Sequence, residues 1–534
     1  MQQLDGQLLS VRVSIAPSTA RGPISGRLVV SLVASDAKLP ADVDPNEAPF
    51  WEDPQPMFGL DITLTPGEPA TVRLDLAQSN LTAPIKPGTY RAAARLIAVR
   101  ENSNWKRDAG NLYGEAVRVE IGTGPATLDL ALSRSTTGQP WPTAAAAAAN
   151  GAELFEVRSP LLSAFRGREV MLRAGVVKPA GYNPARNYAA IYEVPGFGGD
   201  HFAAIGAAGA RAGESRTPEQ TTLDANSFLI VLDPEGPNGH TLFADSANNG
   251  PCGKALVEEL IPALEKAYAL APAPAARLLR GHSSGGWSTL WLALTYPDTF
   301  GATWSSSPDP VDFRWLETVN IYAQKNMFMI PSYPVPDDQE SISRAAELSK
   351  VPGAWFPLTV PDGPRELASF RRDSKPVMSI RTEAQGEDVL GASNTSGQQW
   401  DSWFAVWGPR DAQGRPAALF DPRTGVINKP IALAMRKYDL GELLRADPAR
   451  YGPLLRERVR LIVGTEDSFF LNEAVTLFKA DLDRLYPVRT DAAKAAGYIK
   501  LAPGDHGSVM NDPQALAIPS EMVKHLRTSG LLPK

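Results

Sequence analysis

The chain has 534 residues, of which 43% are hydrophobic and 21% are charged, and its formal net charge at pH 7 is −6. This is the composition of an ordinary globular protein, and its length exceeds the roughly 250–300 residues at which a single core stops growing. The sequence has no basic tail that would indicate nucleic-acid binding, and none of its apolar runs approaches the ~20 residues that a membrane span needs. Its single cysteine, Cys252, excludes an internal disulfide and a zinc site made of cysteines.

The N-terminus, Met1–Asp5, lacks the basic and apolar regions of a signal peptide. The protein is therefore either cytoplasmic, or its signal was removed and Met1 was added for expression. Of the two, we expect a secreted or periplasmic protein.

Residues 1–135 are predicted to form an all-β domain. In Val72–Leu76 the apolar residues fall at every second position, as they do on a half-buried strand, and Pro66-Gly67 and Pro87-Gly88 supply turns. Seven such segments are typical of a small immunoglobulin-like β-sandwich. They are Leu8–Ile15, Arg27–Ala34, Asp61–Thr65, Thr71–Leu76, Tyr90–Val99, Ala116–Ile121 and Thr127–Leu132.

Residues 136–150 are predicted to be a linker, because prolines and a glycine precede a run of six alanines, Ala144–Ala149. From residue 151 to 534 strands alternate with helices, which indicates a mostly parallel α/β sheet. A helix is expected over Lys254–Leu270, although Pro262 lies within it. The predicted strands are Val170–Val177, Tyr188–Val194, Ser227–Leu232, Arg277–Arg280, Ala302–Ser305, Val459–Val463 and Tyr498–Leu501.

Residues 310–455 fit this alternation poorly. They are rich in proline and hold five of the eleven tryptophans, including Trp403 and Trp407. Two interpretations stay open: an insertion that caps the sheet, or an additional packed layer that does not touch substrate. Under the first, Trp403 and Trp407 are candidate substrate-binding residues, since aromatic rings bury large areas of a bound ligand.

Gly281-His282-Ser283-Ser284-Gly285 carries the most chemical information. It is a G-x-S-x-G motif between a short apolar strand and a helix, the setting in which α/β-hydrolases expose a nucleophilic serine. Glycines are needed because bulk on either side of a strained turn would meet neighbouring backbone. Ser283 is therefore the candidate nucleophile, and a glycine-rich turn with a buried serine is the alternative.

A serine needs a base, and the chain has five histidines. His506 is the candidate base, because it follows the predicted strand near residue 500 and lies in a β–α loop at the expected end of the sheet. His282 is expected to point away from the elbow, and His525 is expected to be solvated on a terminal helix. Asp467, three residues after an apolar strand reaches Gly464, is the candidate acid, with Glu466 as the alternative.

Two backbone N–H groups are expected to form an oxyanion hole. One belongs to Ser284 and the other to Phe197, in the glycine-rich loop Pro195–Gly199. A second loop, after Ser227–Leu232, carries Asp233, Glu235, His240 and Asp245. Its acids could line the pocket, bind a cation or bond within the loop. We predict no metal and take Glu235 as a candidate substrate-binding residue.

Together these segments resemble the putative esterase family of α/β-hydrolases, which includes esterase D, enterochelin-esterase-like and feruloyl-esterase-like enzymes and mycolyl transferases. The resemblance covers roughly residues 160–530. It implies the α/β-hydrolase fold, with a cap-like insertion at 310–455 and the β domain in front, and a triad of Ser283, Asp467 and His506. The chain departs from the family pattern in two places: Pro195-Gly196 stands where the family has His-Gly, and 184 residues separate Ser283 from Asp467. The matching segments are Tyr188–Gly199, Val231–Gly253, Gly281–Gly286, Gly464–Asp467 and Gly504–Gly507.

The predicted function is hydrolysis of a carboxylic ester through an acyl-enzyme on Ser283, without a cofactor. The substrate is expected to be a carbohydrate-linked, aromatic or other small-to-medium acyl ester. The alternatives are an acyltransferase or a serine peptidase with the same triad, or a non-catalytic binding protein built on a hydrolase scaffold.

Overall fold

A computed structural model describes residues 9–51, 53–142, 151–213, 215–329, 366–488 and 496–533. The alanine run of the predicted linker, Leu8 and Trp355 lie outside these ranges. No described helix is long and apolar enough to cross a membrane.

Two β-sheets share one core in the first 135 residues. The three-stranded sheet has the order β4-β1-β8, and the six-stranded sheet has the order β3-β2-β5-β6-β9 with β7 beside β5. Val72 and Leu74 are buried while Thr71 and Arg73 are exposed, so the period-two pattern assigned the faces of this strand correctly. The sandwich is present, and its immunoglobulin-like classification stays a prediction. The strands are β1 Leu9–Ile15, β2 Ile24–Ala34, β3 Met57–Leu64, β4 Ala70–Leu74, β5 Gly88–Ile97, β6 Leu112–Tyr113, β7 Val117–Ile121, β8 Ala126–Leu132 and β9 Arg134–Ser135.

An eight-stranded sheet forms the centre of the remaining chain, in the order β10-β11-β13-β12-β16-β17-β20-β21. The pairs β10/β11 and β11/β13 are antiparallel and the others parallel, which gives the mostly parallel α/β-hydrolase arrangement. The strands are β10 Ala152–Arg158, β11 Met171–Val177, β12 Ala189–Val194, β13 Ser227–Leu232, β14 Asp245–Ser246, β15 Gly250–Pro251, β16 Arg277–His282, β17 Ala302–Ser306, β18 Ala368–Arg372, β19 Lys375–Ser379, β20 Val459–Gly464 and β21 Tyr498–Ala502.

The helices cover both faces of this sheet, so strands such as β13 and β20 are buried along their whole length. The helix predicted over Lys254–Leu270 runs from Cys252 to Ala267 with a π turn at Leu256–Leu260. A wider turn there accommodates Pro262, whose ring would meet the carbonyl of the preceding turn. The α-helices are α1 Pro160–Arg166, α2 Ala203–Ala212, α3 Pro218–Asn226, α4 Cys252–Ala255, α5 Ile261–Ala267, α6 Ser284–Thr295, α7 Ile380–Leu390, α8 Gln399–Trp407, α9 Lys429–Met435, α10 Leu440–Ala446, α11 Pro448–Arg458, α12 Leu471–Leu485, α13 Pro513–Leu516 and α14 Ile518–Thr528.

The described part of the 310–455 region packs as a layer on the helix that follows Ser283. Trp407 is fully buried, with its ring centroid 5.5 Å from that of Trp287 on α6. Trp403 stacks on Trp407 at 5.3 Å, and all these rings belong to one core cluster. The rings of these tryptophans are packed in the protein core, and both interpretations of the region, cap or packed layer, stay predictions.

The N-terminal sheets dock on both the catalytic loops and the 310–455 layer. Arg27 donates to the carbonyl of Asp388 at 2.7 Å, and Arg423 donates to that of Ser79 at 2.7 Å. The N–H of Ser103 donates to Glu235 Oε2 at 2.7 Å. The sandwich is thus bonded to the catalytic sheet's own loops.

Candidate active site

Ser283 lies at a sharp turn between β16 and α6. Its φ of 58° and ψ of −125° are strained for a residue with a side chain. The turn leaves no room for a side chain at either glycine of the motif. A Cβ on Gly281 would lie only 2.2 Å from Gly285 O, and a Cβ on Gly285 would lie only 1.9 Å from Val194 O. The N–H of Ser283 donates to Ser306 O at 3.0 Å. The glycines of the motif therefore permit a conformation that presents Ser283 at the end of the sheet.

Asp467 and His506 form a hydrogen-bonded pair at the same end of the sheet. Asp467 follows β20 and His506 follows β21, and these strands are adjacent. The distance from His506 Nδ1 to Asp467 Oδ2 is 2.8 Å. Asp467 is fully buried, and its Oδ1 accepts the N–H of Phe469 at 2.9 Å. A proton on Nδ1 satisfies this bond and leaves Nε2 as the basic nitrogen.

The pair is electrostatically coupled. Burial alone lowers the pKa of His506, but the charge and hydrogen bond of Asp467 outweigh it, and the net pKa lies above the ordinary 6.5. Burial raises the pKa of Asp467, and His506 with two backbone N–H groups reverses this, so its net pKa is lowered. Asp467 therefore stays ionised and favours the imidazolium form of His506.

His506 lies against the turn that carries Ser283. Its ring centroid is 4.6 Å from that of His282, and its carbonyl accepts the hydroxyl of Ser307 at 3.2 Å. The hydrogen bonds of the described residues include none between Ser283 Oγ and His506 Nε2, a bond that often tightens only when substrate is bound. The expectation that His282 points away from the site is wrong: its Nδ1 bonds Ser306 Oγ at 3.0 Å, and its ring supports His506.

The loop Pro195–Gly199 follows β12 and lies beside Ser283. A Cβ on Gly196 would lie 3.3 Å from the Cβ of Ser283. Gly199 N–H closes the turn on Gly196 O at 2.9 Å, and Gly198 has a φ of 74° that favours glycine. Phe197 occupies the second position of this turn. Ser284 is the first residue of α6, where backbone N–H groups have no helical partner.

His240 fixes this loop from beneath. It is fully buried, its Nε2 lies 3.0 Å from Pro195 O, and its Nδ1 accepts the N–H of Leu242 at 3.1 Å. Burial lowers the pKa of His240 to about 4, so the ring is neutral with its proton on Nε2. The sequence placed His240 in a loop near the site but gave no sign of its partner.

Asp309 is a buried carboxylate beside the nucleophile that the sequence interpretation missed. Its Oδ2 accepts the hydroxyl of Ser284 and the indole N–H of Trp403, both at 2.7 Å, and its own N–H donates to Ser283 O at 3.2 Å. Burial raises its pKa to about 6. Its position just past β17, the strand next to the nucleophile strand, was a signal that could have identified it.

The remaining candidate residues fall in different places. Trp403 reaches Asp309, whereas Trp407 lies in the core behind it. Glu466 is half-exposed and accepts from Ser374 at 2.9 Å, so it does not contact His506. Glu235 lines a separate cavity at the seam with the N-terminal sheets, and that lining does not include Ser283.

His525 departs from its expected solvated position. It is partly buried on α14, and its Nε2 lies 3.0 Å from Ala275 O. This contact fixes the terminal helix to the start of β16, away from the pair of Asp467 and His506. His525 therefore has a structural role.

The family described as "Putative esterase" matches residues 171–403. This range includes Ser283 and the Pro195–Gly199 loop and ends before Asp467. A search of curated proteins found no match.

Solved structures similar to this chain include a serine hydrolase, a ferulic acid esterase and an S-formylglutathione hydrolase. FphF, a fluorophosphonate-binding serine hydrolase of Staphylococcus aureus, is 12% identical over 70% of this chain and 98% of its own, with a TM-score of 0.35. A ferulic acid esterase is 12% identical over 70% and 98%, with a TM-score of 0.37. An S-formylglutathione hydrolase of Agrobacterium tumefaciens is 11% identical over 70% and 94%, with a TM-score of 0.34.

Proposed function

We propose that the chain is an esterase of the family described as "Putative esterase", which matches residues 171–403, and that it hydrolyses carboxylic esters through an acyl-enzyme on Ser283. The observation that carries the proposal is the 2.8 Å bond between His506 and Asp467 beside a strained serine turn. Ser283, Asp467 and His506 each follow a different strand, β16, β20 and β21, and the sheet brings the ends of these strands to the same edge.

In the first step Ser283 Oγ attacks the ester carbonyl while His506 Nε2 takes its proton. Asp467 holds Nδ1–H and stabilises the imidazolium that forms. The carbonyl π electrons move to oxygen, and collapse of the tetrahedral intermediate expels the alcohol, which receives the proton from Nε2. The product is an ester of Ser283 with the acyl group.

The developing oxyanion needs preorganised donors. We assign these to the N–H of Ser284, at the start of α6, and the N–H of Phe197 in the loop fixed by His240. Loss of one such donor typically costs about 10²–10³ in kcat. In the second step His506 deprotonates a water molecule, which attacks the acyl-enzyme; the intermediate then expels Ser283 Oγ, which takes the proton back from His506 Nε2, and the acid is released.

We propose a carbohydrate-linked, aromatic or other small-to-medium acyl ester as substrate. The support is the wall beside Ser283, where Trp403 and Asp309 place an aromatic ring and a carboxylate next to the elbow. A panel of acetyl, feruloyl and longer acyl esters, with matched peptide p-nitroanilides and an alcohol acceptor, separates hydrolysis of esters from the peptidase and acyltransferase alternatives. Faster release from the anilides, or transfer outpacing hydrolysis, contradicts the proposal.

A fluorophosphonate probe tests the nucleophile. The wild type should be labelled at Ser283, and Ser283→Ala should lose labelling and lower kcat by about 10⁶ with its fold intact by circular dichroism. Ser284→Ala is the matched control: it keeps its backbone N–H and should still be labelled at Ser283. Labelling retained in Ser283→Ala would exclude this assignment.

A further inference from the structure

A tight hairpin formed by β18 and β19 lies against residues 465–470, which we call the acid loop because they include Asp467. Its turn, Asp373-Ser374, has φ values of 46° and 61°, as in the two-residue turns that join twisted strands directly. The N–H of Arg371 donates to Ser468 O at 2.9 Å. The long segment between the nucleophile and the acid is therefore bonded to the acid loop itself.

The side chain of Arg371 makes three contacts with the acid loop. Its Nε donates to Asp467 O at 2.9 Å, its Nη1 lies 3.1 Å from Glu466 Oε2, and its Cζ lies 4.9 Å from the ring centroid of Phe470. The side chain is 1% exposed, so the surrounding packing restricts it to this arrangement. A planar guanidinium holds several partners in a fixed geometry, which a flexible ammonium does not.

The acid loop has a conformation that needs support from outside. Phe470 has a φ of 59° and a ψ of 22°, a left-handed conformation that is costly for a bulky side chain. Such a conformation persists only where the surrounding structure fixes it. Asp467 O accepts the N–H of Phe470 at 3.1 Å and Nε of Arg371 at 2.9 Å. Arg371 therefore holds this strained turn both at its carbonyl and at its aromatic ring.

The hairpin also supports the base, through Phe469. The ring of Phe370 packs on that of Phe469 with a centroid distance of 5.2 Å, and Phe469 meets His506 edge to face at 4.9 Å. The N–H of Phe469 donates to Asp467 Oδ1 at 2.9 Å. Phe469 thus contacts both members of the Asp467–His506 pair and is itself packed against the hairpin.

We propose that Arg371 is a positioning residue of the triad, which fixes the backbone of Asp467 so that the carboxylate stays on His506 Nδ1. The inference rests on the proposed acyl-enzyme function, because it assigns a role within that same site. Arg371 acts through the carbonyl of Asp467 and not on the reacting atoms. The neighbouring Glu466 then has a different task from Asp467: it pairs with Arg371, while Asp467 pairs with His506.

The pH profile distinguishes positioning from a plain effect of charge. Loss of a nearby cation by itself would raise the pKa of His506, since a cation disfavours the imidazolium. Loss of the contact with Asp467 would lower this pKa, because burial of the ring is the largest influence on it. Positioning therefore predicts a lower apparent pKa of kcat/KM in Arg371→Met than in the wild type. The other titratable groups around His506 are Asp309, Asp505 and His282.

Three variants of the full-length enzyme separate the donor from the charge, with p-nitrophenyl acetate as substrate. Arg371→Met removes both and should lower kcat about 10²-fold with little change in KM, as expected when a catalytic group is slightly misplaced. Arg371→Gln places an amide N–H at the same chain length as Nε and should stay within about tenfold of the wild type. Arg371→Lys keeps the charge but not this donor and should be slower than Arg371→Gln.

Arg372→Met is the matched control. Arg372 is an exposed neighbour on the same strand, and its guanidinium lies 6.0 Å from the Phe370 ring. Its loss should leave kcat within about twofold of the wild type and the pH profile unchanged, because exposed charges contribute little.

The same substitution in an Asp467→Asn background tests whether Arg371 acts through the acid. There Arg371→Met should lower kcat less than about threefold further, because residues that act as a unit are not additive. An arginine with a merely structural role would lower kcat by the same factor in both backgrounds. If Arg371→Met does not fold, the comparison of Arg371→Gln with Arg371→Lys decides.

The proposal is overturned by a wild-type kcat and pH profile in Arg371→Met, by equal factors in the two backgrounds, or by a lysine variant faster than the glutamine variant. A rise of the apparent pKa in Arg371→Met would assign the effect to charge and also overturns it. Failure of the esterase proposal gives a different result, since Asp467→Asn would then keep its kcat. A slow Asp467→Asn beside an Arg371→Met that behaves like Arg372→Met overturns the role of Arg371 alone.

Discussion

His240 offers a sharp test of how the loop beside Ser283 is held. His240→Ala removes the donor to Pro195 O and the acceptor for Leu242 N–H, both in a fully buried place. Each orphaned group costs about 1–3 kcal/mol, so a stability loss of about 2–6 kcal/mol is expected. The loop then no longer fixes Phe197 N–H, and kcat should fall about 10–10³-fold, with the full loss of one oxyanion donor as the upper limit.

The acid sensitivity of the fold provides a second measure of the same residue. The pKa of His240 in the folded protein is about 4, below the ordinary 6.5, because burial disfavours the charged ring. Its contribution is therefore present above pH 6.5 and is lost as pH falls toward 4, by roughly 3 kcal/mol. Urea unfolding at pH 7 and 4.5 should show a smaller loss of stability in His240→Gln than in the wild type.

The assay compares kcat and KM on p-nitrophenyl acetate for the folded variants. His240→Gln can still donate to Pro195 O through its amide, so it should recover most of the kcat that His240→Ala loses. KM should change little in both, since the oxyanion exists only after attack. A His240→Ala enzyme that melts lower but keeps its wild-type kcat would refute the positioning argument and leave His240 as a packing residue.

Three further predictions concern the acid, the base and the aromatic wall. Asp467→Asn should lower kcat by about 10⁴, whereas Glu466→Gln, at a half-exposed neighbour, should lower kcat less than tenfold. The reverse order would identify Glu466 as the acid of the triad. The pH profile of kcat/KM should rise with an apparent pKa above 6.5, because Asp467 raises the pKa of His506 against the effect of burial, and a midpoint below 6 would contradict this. Trp403→Phe removes the N–H that Asp309 accepts and should change kcat/KM for bulky esters about tenfold. Trp407→Phe loses no hydrogen bond and should lower only the melting temperature. Equal selectivity of the two variants, whose rings stack on each other in the wild type, would show that Trp403 does not contact substrate.

The sequence by itself located most strands and the groups with chemistry. Alternation marked the faces of β4, continuous apolar runs marked β13 and β20, and the glycine spacing at 281–285 marked the strained turn at Ser283. These signals are local, because period, turn chemistry and apolar run length depend on neighbours in the chain. The sequence analysis missed the edge strand β10, although hydrophobic and polar residues partly alternate in Ala152–Arg158. This segment becomes a strand by pairing with β11, and that pairing is not visible in its own sequence.

Tertiary structure alone decided which side chains meet. Glu466 and Asp467 both follow β20, so their sequence positions do not distinguish them. Only the packing of β21 beside β20 places His506 within hydrogen-bond distance of Asp467, while Glu466 bonds Ser374. Asp309, His240 and Glu235 lie 26, 43 and 48 residues from Ser283 in the chain. Their partners come from other helices and loops and, for Glu235, from a loop of the N-terminal domain. Long-range pairing of polar groups leaves no periodic trace in a sequence, since a buried carboxylate or imidazole is stabilised by whichever donor or acceptor the fold brings within about 3 Å.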